Sequence, residues 1–325
     1  MKYSQISKLK HAKNICLIAH NEPDADALCS MIVFKNFLST KFNVHVDIFA
    51  EYSHLPHSYD CLTDNQNINQ GKANYDYAVM MDAPKTERLG VFEPLFLNSP
   101  NKLVIDHHAT NEFDRKTNII SVVSSTCEIV FDILSAFNYQ FTKADYGMIY
   151  AGIVTDTNNL TVGERTKHTF EIAGICVQNV ECYPIYENFM LNNTRQNMDV
   201  MAIAIQNAKY FENGKIIISH ITKQQAEKNN VTQDNYTGII NRLSTINGAR
   251  LVGFIYPKQG EYYVSMRGRA GYDVGSIAKE NGGGGHTGAA AFMSSMTIPQ
   301  IENLLLEKFN QALNQGKDQE KNLFY

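Results

Sequence analysis

The sequence predicts a two-domain α/β protein, with a parallel sheet in the N-terminal domain and a smaller α/β domain behind it. Three observations predict this. The chain has 325 residues, 44% of them apolar and 19% charged, a globular composition at a length beyond the ~250–300 residues where one core usually stops growing. In the first half, short apolar runs alternate with helical patterns, as in parallel strands joined by crossover helices. Around residues 181–193 the alternation gives way to Pro184, aromatics and asparagines without a clean period, and a new set of elements follows. The domains are therefore placed at 1–185 and 197–325, with a linker at 186–196.

Taken in order, residues 14–19 (NICLIA) read as a buried strand, and 26–40 as a helix with Ala27, Met31, Phe34 and Leu38 on one face. Residues 43–49 form a second strand. Two more are expected at 75–81 and 102–105, each running into an acid, Asp82 and Asp106. Helices follow at 125–137, 143–154 and 166–177, the first opening with Ser125, Thr126 and a capping-type Glu128. In the second domain the expectation is a strand at 215–220, a helix after Thr222, strands at 250–256 and 262–267, and a helix near 274–279. A glycine run, a strand near 289–293 and a helix at 299–313 complete it, and the polar tail from 314 is expected to fray.

Composition also excludes. With 29 basic and 33 acidic residues the formal charge is -4, which argues against coating long or duplex nucleic acid by bulk attraction and leaves room for a short anionic substrate on a local basic patch. Six cysteines (Cys16, Cys29, Cys61, Cys127, Cys176, Cys182) lack CxxC spacing, so a zinc knuckle or redox pair is not indicated. They read as free thiols in a reducing cytosol. No leader-like apolar core opens the chain, and no apolar run approaches the ~20 residues that span a bilayer. A cytoplasmic protein away from membranes is expected.

The chemistry concentrates at predicted element ends. His20-Asn-Glu-Pro-Asp24-Ala-Asp26 follows a strand and opens a helix, where its side chains gather at the carboxyl edge of the sheet. Taken alone it also fits a surface turn with an aspartate N-cap. Asp82, Asp106-His107-His108 and Asp156, the last where an apolar helix breaks into a polar loop, fall at the same edge. Carboxylates converging without cations repel, and divalent metal resolves the conflict. Carboxylates and imidazoles without thiolate suit manganese, or magnesium, better than structural zinc. So many ligands can hold two ions ~3.5–4 Å apart, as in displacement at phosphorus.

These motifs, in this order, resemble the DHH phosphoesterase family, and Gly282 to Gly285 followed by His286 resembles the glycine-rich signature of the DHH-associated domain. The likeness covers roughly residues 13 to 310 and is greatest to the bifunctional oligoribonuclease and pAp phosphatase group. It implies one metal on His20, Asp24 and Asp82, and a second on Asp26, Asp82, His107 and Asp156, with Asp82 bridging. Asp106 then orients an imidazole, and His108 reaches the phosphate under attack. In the second domain it implies substrate contacts from Arg267, Gly283, Gly284, Gly285 and His286. Period two places Tyr263, Ser265, Arg267 and Arg269 on one strand face, where a guanidinium can grip a terminal phosphate bidentately; a solvated arginine face is the plainer reading of Arg269.

Four positions depart from the family pattern: Cys29 and Asn158 stand in place of glycine, Gly268 in place of serine, and Ala291 in place of a late glycine. None is a proposed ligand. The resemblance implies a two-manganese phosphoesterase that cleaves very short single-stranded RNA to nucleoside 5′-monophosphates, converts pAp to AMP, or does both, a homodimer being possible. The alternatives are hydrolysis of pApA or related cyclic-dinucleotide products, and a catalytically silent nucleotide-binding regulator.

Overall fold

The apolar run after Lys13 folds as β1 (Asn14–Ile18), hydrogen-bonded in parallel to a strand on either side and buried on both faces. The structure, a computed structural model, describes residues 3–315 except 54, 65, 72, 73 and 270, and not the side chains of His286 and Gln315. The tail expected to fray thus lies, from residue 316 on, outside the described residues. The chain divides into two compact units between Asn192 and Asn193.

In the first unit, α1 (Ser4–Leu9), β1, α2 (Ala25–Phe42), β2 (His45–Phe49), α3 (Asp60–Thr63), β3 (Tyr77–Met81), α4 (Glu93–Leu97), β4 (Lys102–Asp106) and β5 (Ile119–Ile120) lead into the helices α5 (Thr126–Ala136), α6 (Lys143–Asp156), α7 (Lys167–Asn179) and α8 (Tyr183–Met190). The five strands are parallel, in the order β2-β1-β3-β4-β5. The order reverses between β1 and β3, the point at which open α/β sheets bind ligands.

One expectation is corrected at α2. It is not amphipathic: every side chain from Ala25 to Phe34 is buried, because the sheet lies on one side and α5 and α6 cover the other. The close approach of α6 depends on Gly152, where a Cβ would stand 2.4 Å from Cys127 Sγ and 2.6 Å from Asp26 Oδ1.

The second unit comprises α9 (Arg195–Gln206), β6 (Lys209–Phe211), β7 (Ile216–His220), α10 (Lys223–Lys228), α11 (Ile239–Leu243), β8 (Leu251–Lys258), β9 (Glu261–Gly268), α12 (Gly275–Glu280), β10 (Gly284–His286), β11 (Ala289–Ser294) and α13 (Ile298–Gln315). The interval 186–196, expected as a linker, is helical at both ends, α8 running to Met190 and α9 beginning at Arg195. The sheet order is β10-β11-β9-β8-β7-β6, antiparallel except between β7 and β8. Separate apolar clusters fill its two faces, one involving α12 and α13, the other α9 and α11.

Two further expectations change here. β9 ends at Gly268, so Arg269 is not on its polar face; it is exposed, and its N–H donates to Arg250 O. The glycine run is in part an edge strand: Cβ atoms at Gly283 and Gly285 would stand 2.1 and 2.5 Å from the carbonyl oxygens of Ala291 and Ala289.

Candidate metal centre

The loop after β1 turns His20 so that its Nδ1 faces the carbonyl of Asn21 at 2.9 Å. A carbonyl only accepts, so Nδ1 carries the proton and the Nε2 lone pair points away. It points at carboxylates, Asp82 Oδ2 at 3.7 Å and Asp24 Oδ2 at 4.0 Å. His107, just beyond β4, repeats the device: Nδ1 donates to Val123 O at 3.1 Å, and Nε2 stands 3.5 Å from both Asp82 Oδ1 and Asp156 Oδ2. This ordering of the imidazole by a backbone acceptor is typical of metal-ligating histidines.

Asp82 lies between the two histidines, one oxygen toward each. It is 2% exposed and has φ 55°, a left-handed conformation that non-glycine residues adopt at some cost and that is concentrated at functional sites. Asp26, in the first turn of α2, is buried, and its two oxygens accept from the backbone N–H groups of Thr126 (2.7 Å) and Cys127 (2.9 Å). Asp24 is the N-cap of α2, accepting from Ala27 N with Oδ1 while Oδ2 faces His20. The capping and site readings of this residue therefore hold together. Asp156 is the last residue of α6, placed by a helix end and not a strand end.

The electrostatics are those of an acid cluster that wants a cation. Among the described residues no lysine or arginine pairs with Asp24, Asp26, Asp82 or Asp156. Burial, then the Asp82 and Asp156 carboxylates, push Asp26 well above the usual range. Burial and Asp24 raise Asp82, and burial carries Asp156 up to about 6 against the pull of His107. Burial opposes charge on His107, but Asp82, Asp26 and Asp156 outweigh it and hold the imidazolium up to about 9.

The donor set fits a hard divalent ion. His20, Asp24 and Asp82 form one group and Asp26, His107 and Asp156 another, with ligand atoms inside each group within 4.8 Å of one another. The imidazole-to-carboxylate gaps of 3.5–4.0 Å exceed a hydrogen bond, as expected of atoms arranged around a common point. The nearby thiols of Cys29 and Cys127 are wholly buried and pushed up by burial, so they offer no soft ligand. Beside His20, Asn21 Oδ1 is buried without a hydrogen-bond partner among the described residues.

His108 belongs to a different arrangement. Its Nδ1 lies 3.8 Å from Asp82 Oδ1 but 2.8 Å from Asp106 Oδ1. Burial pushes the Asp106 carboxyl up, yet hydrogen bonds from His108 and from Asn111 Nδ2 (2.6 Å) bring it below the usual range. An ionised Asp106 can only accept, so Nδ1 of His108 donates and is not a lone pair for a metal. The same carboxylate overcomes burial and raises the His108 imidazolium.

In the second unit, Arg267 is half-buried on β9. Its Nε–H donates to Asn241 Oδ1 at 3.1 Å and Nη1 to Met266 O at 3.0 Å, and its remaining N–H groups have no partner among the described residues. Gly283, Gly284 and Gly285 lie at or in the edge strand β10, and at Gly284 a Cβ would meet nothing within 4 Å. The side chain of His286 lies outside the described residues. Asn111, Thr126 and Asn241 were not anticipated in these roles: Thr126 was read only in the opening turn of a helix, and each meets its partner, Asp106, Asp82 or Arg267, through the fold.

Residues 14–155 match the model of the DHH family, N-terminal domain, and residues 213–315 that of the DHHA1 domain. A Streptococcus mutans protein described as a probable bifunctional oligoribonuclease and PAP phosphatase NrnA is 22% identical over 94% of this chain and 97% of its own. The Bacillus subtilis bifunctional oligoribonuclease and PAP phosphatase NrnA is 24% identical over 88% of this chain and 91% of its own. Among solved structures, an exopolyphosphatase-related protein from Bacteroides fragilis shares the fold, with a TM-score of 0.86 at 21% identity, over 95% of this chain and 94% of its own.

Proposed function

Because the chain belongs to the DHH family, with a DHHA1 domain behind its DHH domain, we propose that it is a manganese-dependent phosphoesterase acting on very short oligoribonucleotides and on pAp. The products are nucleoside 5′-monophosphates from RNA, and AMP with inorganic phosphate from pAp. The observation that carries this reading is the convergence of His20, Asp24, Asp26, Asp82, His107 and Asp156 without a lysine or arginine partner among the described residues. The full-length relatives named as oligoribonuclease and PAP phosphatase support the substrate class.

Two ions would be held, one by His20, Asp24 and Asp82, the other by Asp26, His107 and Asp156 together with Asp82. When bound, divalent metal polarises phosphoryl oxygens and lowers the pKa of water toward neutrality. His108, its Nδ1 committed to Asp106, keeps Nε2 to meet the substrate. The Asp106 carboxylate favours the protonated form of His108, which can donate to a phosphoryl oxygen as charge develops there. Arg267 offers the terminal phosphate the N–H groups not spent on Asn241 and Met266, with the Gly283–Gly285 backbone and His286 as further contacts.

Purified, manganese-loaded protein is to be assayed side by side on pAp, pApA, a 5-mer RNA, a long single-stranded RNA and pyrophosphate. Turnover should be fastest on pAp and the 5-mer and poor on long RNA, and Asp82→Ala should lose both activity and bound manganese. Equal rates on long RNA at equal ends, or preference for pyrophosphate, refutes the substrate assignment, and an active Asp82→Ala with full metal content refutes the centre.

A further inference from the structure

The first turn of α5 holds both buried acids of the metal centre. The Thr126 and Cys127 N–H groups, left without partners at the start of a helix, take the two oxygens of Asp26. The Thr126 hydroxyl donates to Asp82 Oδ1 at 2.9 Å. That oxygen is the one 3.5 Å from His107 Nε2, while Oδ2 faces His20 Nε2 at 3.7 Å. Rotation of the Asp82 carboxylate would break this division, and the Thr126 hydrogen bond opposes rotation.

The turn is itself fastened from behind. Ser125 caps α5, accepting from Glu128 N at 3.1 Å. The Glu128 carboxylate, 1% exposed, accepts from the Ser124 hydroxyl and from Thr169 Oγ1 (2.8 Å) on α7. The same loop supplies Val123 O, the acceptor that sets the His107 tautomer. One short segment therefore orients three proposed ligands on three different elements: Asp26 on α2, Asp82 after β3 and His107 after β4.

We propose that Thr126 is a positioning residue that fixes the Asp82 carboxylate in its bridging orientation, with Glu128 and Thr169 locking the turn that carries it. The inference rests on the metal centre described above. Thr126 is not among the proposed ligands; its hydroxyl acts through Asp82. Its hydroxyl occupies one lone pair of Oδ1 and leaves the other, with all of Oδ2, to face the histidines.

The test compares Thr126→Val, which keeps the shape and removes the hydroxyl, with Thr126→Ser, which keeps the hydroxyl, and with Thr169→Val, which removes one hydroxyl from Glu128. Manganese affinity is measured by calorimetry, kcat and KM on pAp at saturating manganese, and thermal unfolding on metal-free protein. Thr126→Val should bind manganese about 10–100-fold more weakly and lose kcat with KM little changed. Thr126→Ser should stay close to wild type in affinity, and Thr169→Val should lie between the two. Should Thr126→Val not fold, Thr126→Ala removes the same hydroxyl with less bulk and is read in the same way. Wild-type affinity in the hydroxyl-free variant, or equal loss in the valine and serine variants, overturns the proposal. If wild type itself takes up no manganese, the metal centre falls and the proposal with it; a loss of Thr126 dependence alone leaves the centre standing.

Discussion

His107 is a cation that the cluster recruits for itself. Facing three carboxylates, it is held protonated up to about 9, against an ordinary value of 6.5. A raised histidine stabilises the fold fully below its unfolded pKa, and the contribution is lost as pH rises through the folded one. Asp156, raised by burial from 3.8 to about 6, has the same sign: the folded state favours its proton, and that contribution is lost as pH rises through 6. Metal-free protein should therefore lose stability across pH 4–9 on account of these two groups. His107→Gln should flatten the pH 6.5–9 part of the curve, read from urea unfolding of chelator-treated protein at several pH values. A variant curve parallel to wild type would mean that His107 is not charged in the folded state. With manganese the slope should reverse, because metal competes with those same protons.

At the level of elements, the site is assembled by approaches too close for an extra methyl group. Gly152 brings α6 against Cys127 and Asp26, whereas Gly147, five residues earlier on the same helix, would place a Cβ in ordinary contact, 3.4 Å from Ile185 Cδ1. Gly147→Ala should stabilise by roughly 0.5–1 kcal/mol from helix propensity. Gly152→Ala should destabilise by roughly 1–3 kcal/mol through overpacking and weaken manganese binding by displacing Asp26. Thermal melts of the two single variants decide it: equal effects would show that α6 can move away. The strands and their acidic ends were legible because buried parallel strands are continuous apolar runs and the acids punctuate them. Helix α9 was not, since only Val200, Met201 and Ala204 of its twelve residues are buried and no stripe stands out. Likewise α2 read as one-sided because its second covering, α5 and α6, comes from more than 80 residues later. Departures became intelligible only with backbone angles and sterics. Asn158 has φ 46°, which asparagine tolerates in place of glycine, and at Gly268 a serine Cβ would stand 2.1 Å from Tyr272 O.

Across the whole molecule, the chemistry is unevenly divided between the units. All six proposed ligands lie before Asn192, while Arg267 and the glycine strand lie after Asn193, and each unit has apolar clusters of its own. No helix among the described residues is long and apolar enough to cross a membrane. A ligand that binds only the folded form stabilises it by RT ln(1 + [L]/Kd), about 2.7 kcal/mol at a concentration one hundred times Kd. If every ligand atom belongs to the first unit, that free energy is confined to its cooperative opening. Hydrogen exchange of the full chain in mild urea, read peptide by peptide with and without manganese, should slow in α2, β3, β4 and α5 by the ~100-fold that this free energy represents. Peptides of β8, β9 and α13 should exchange at unchanged rates. An equal slowing in β8 and β9 would require either a metal ligand from the second unit or unfolding of the two units as one, and Arg267→Ala, which removes no proposed ligand, should leave the protection of the first unit intact in either case.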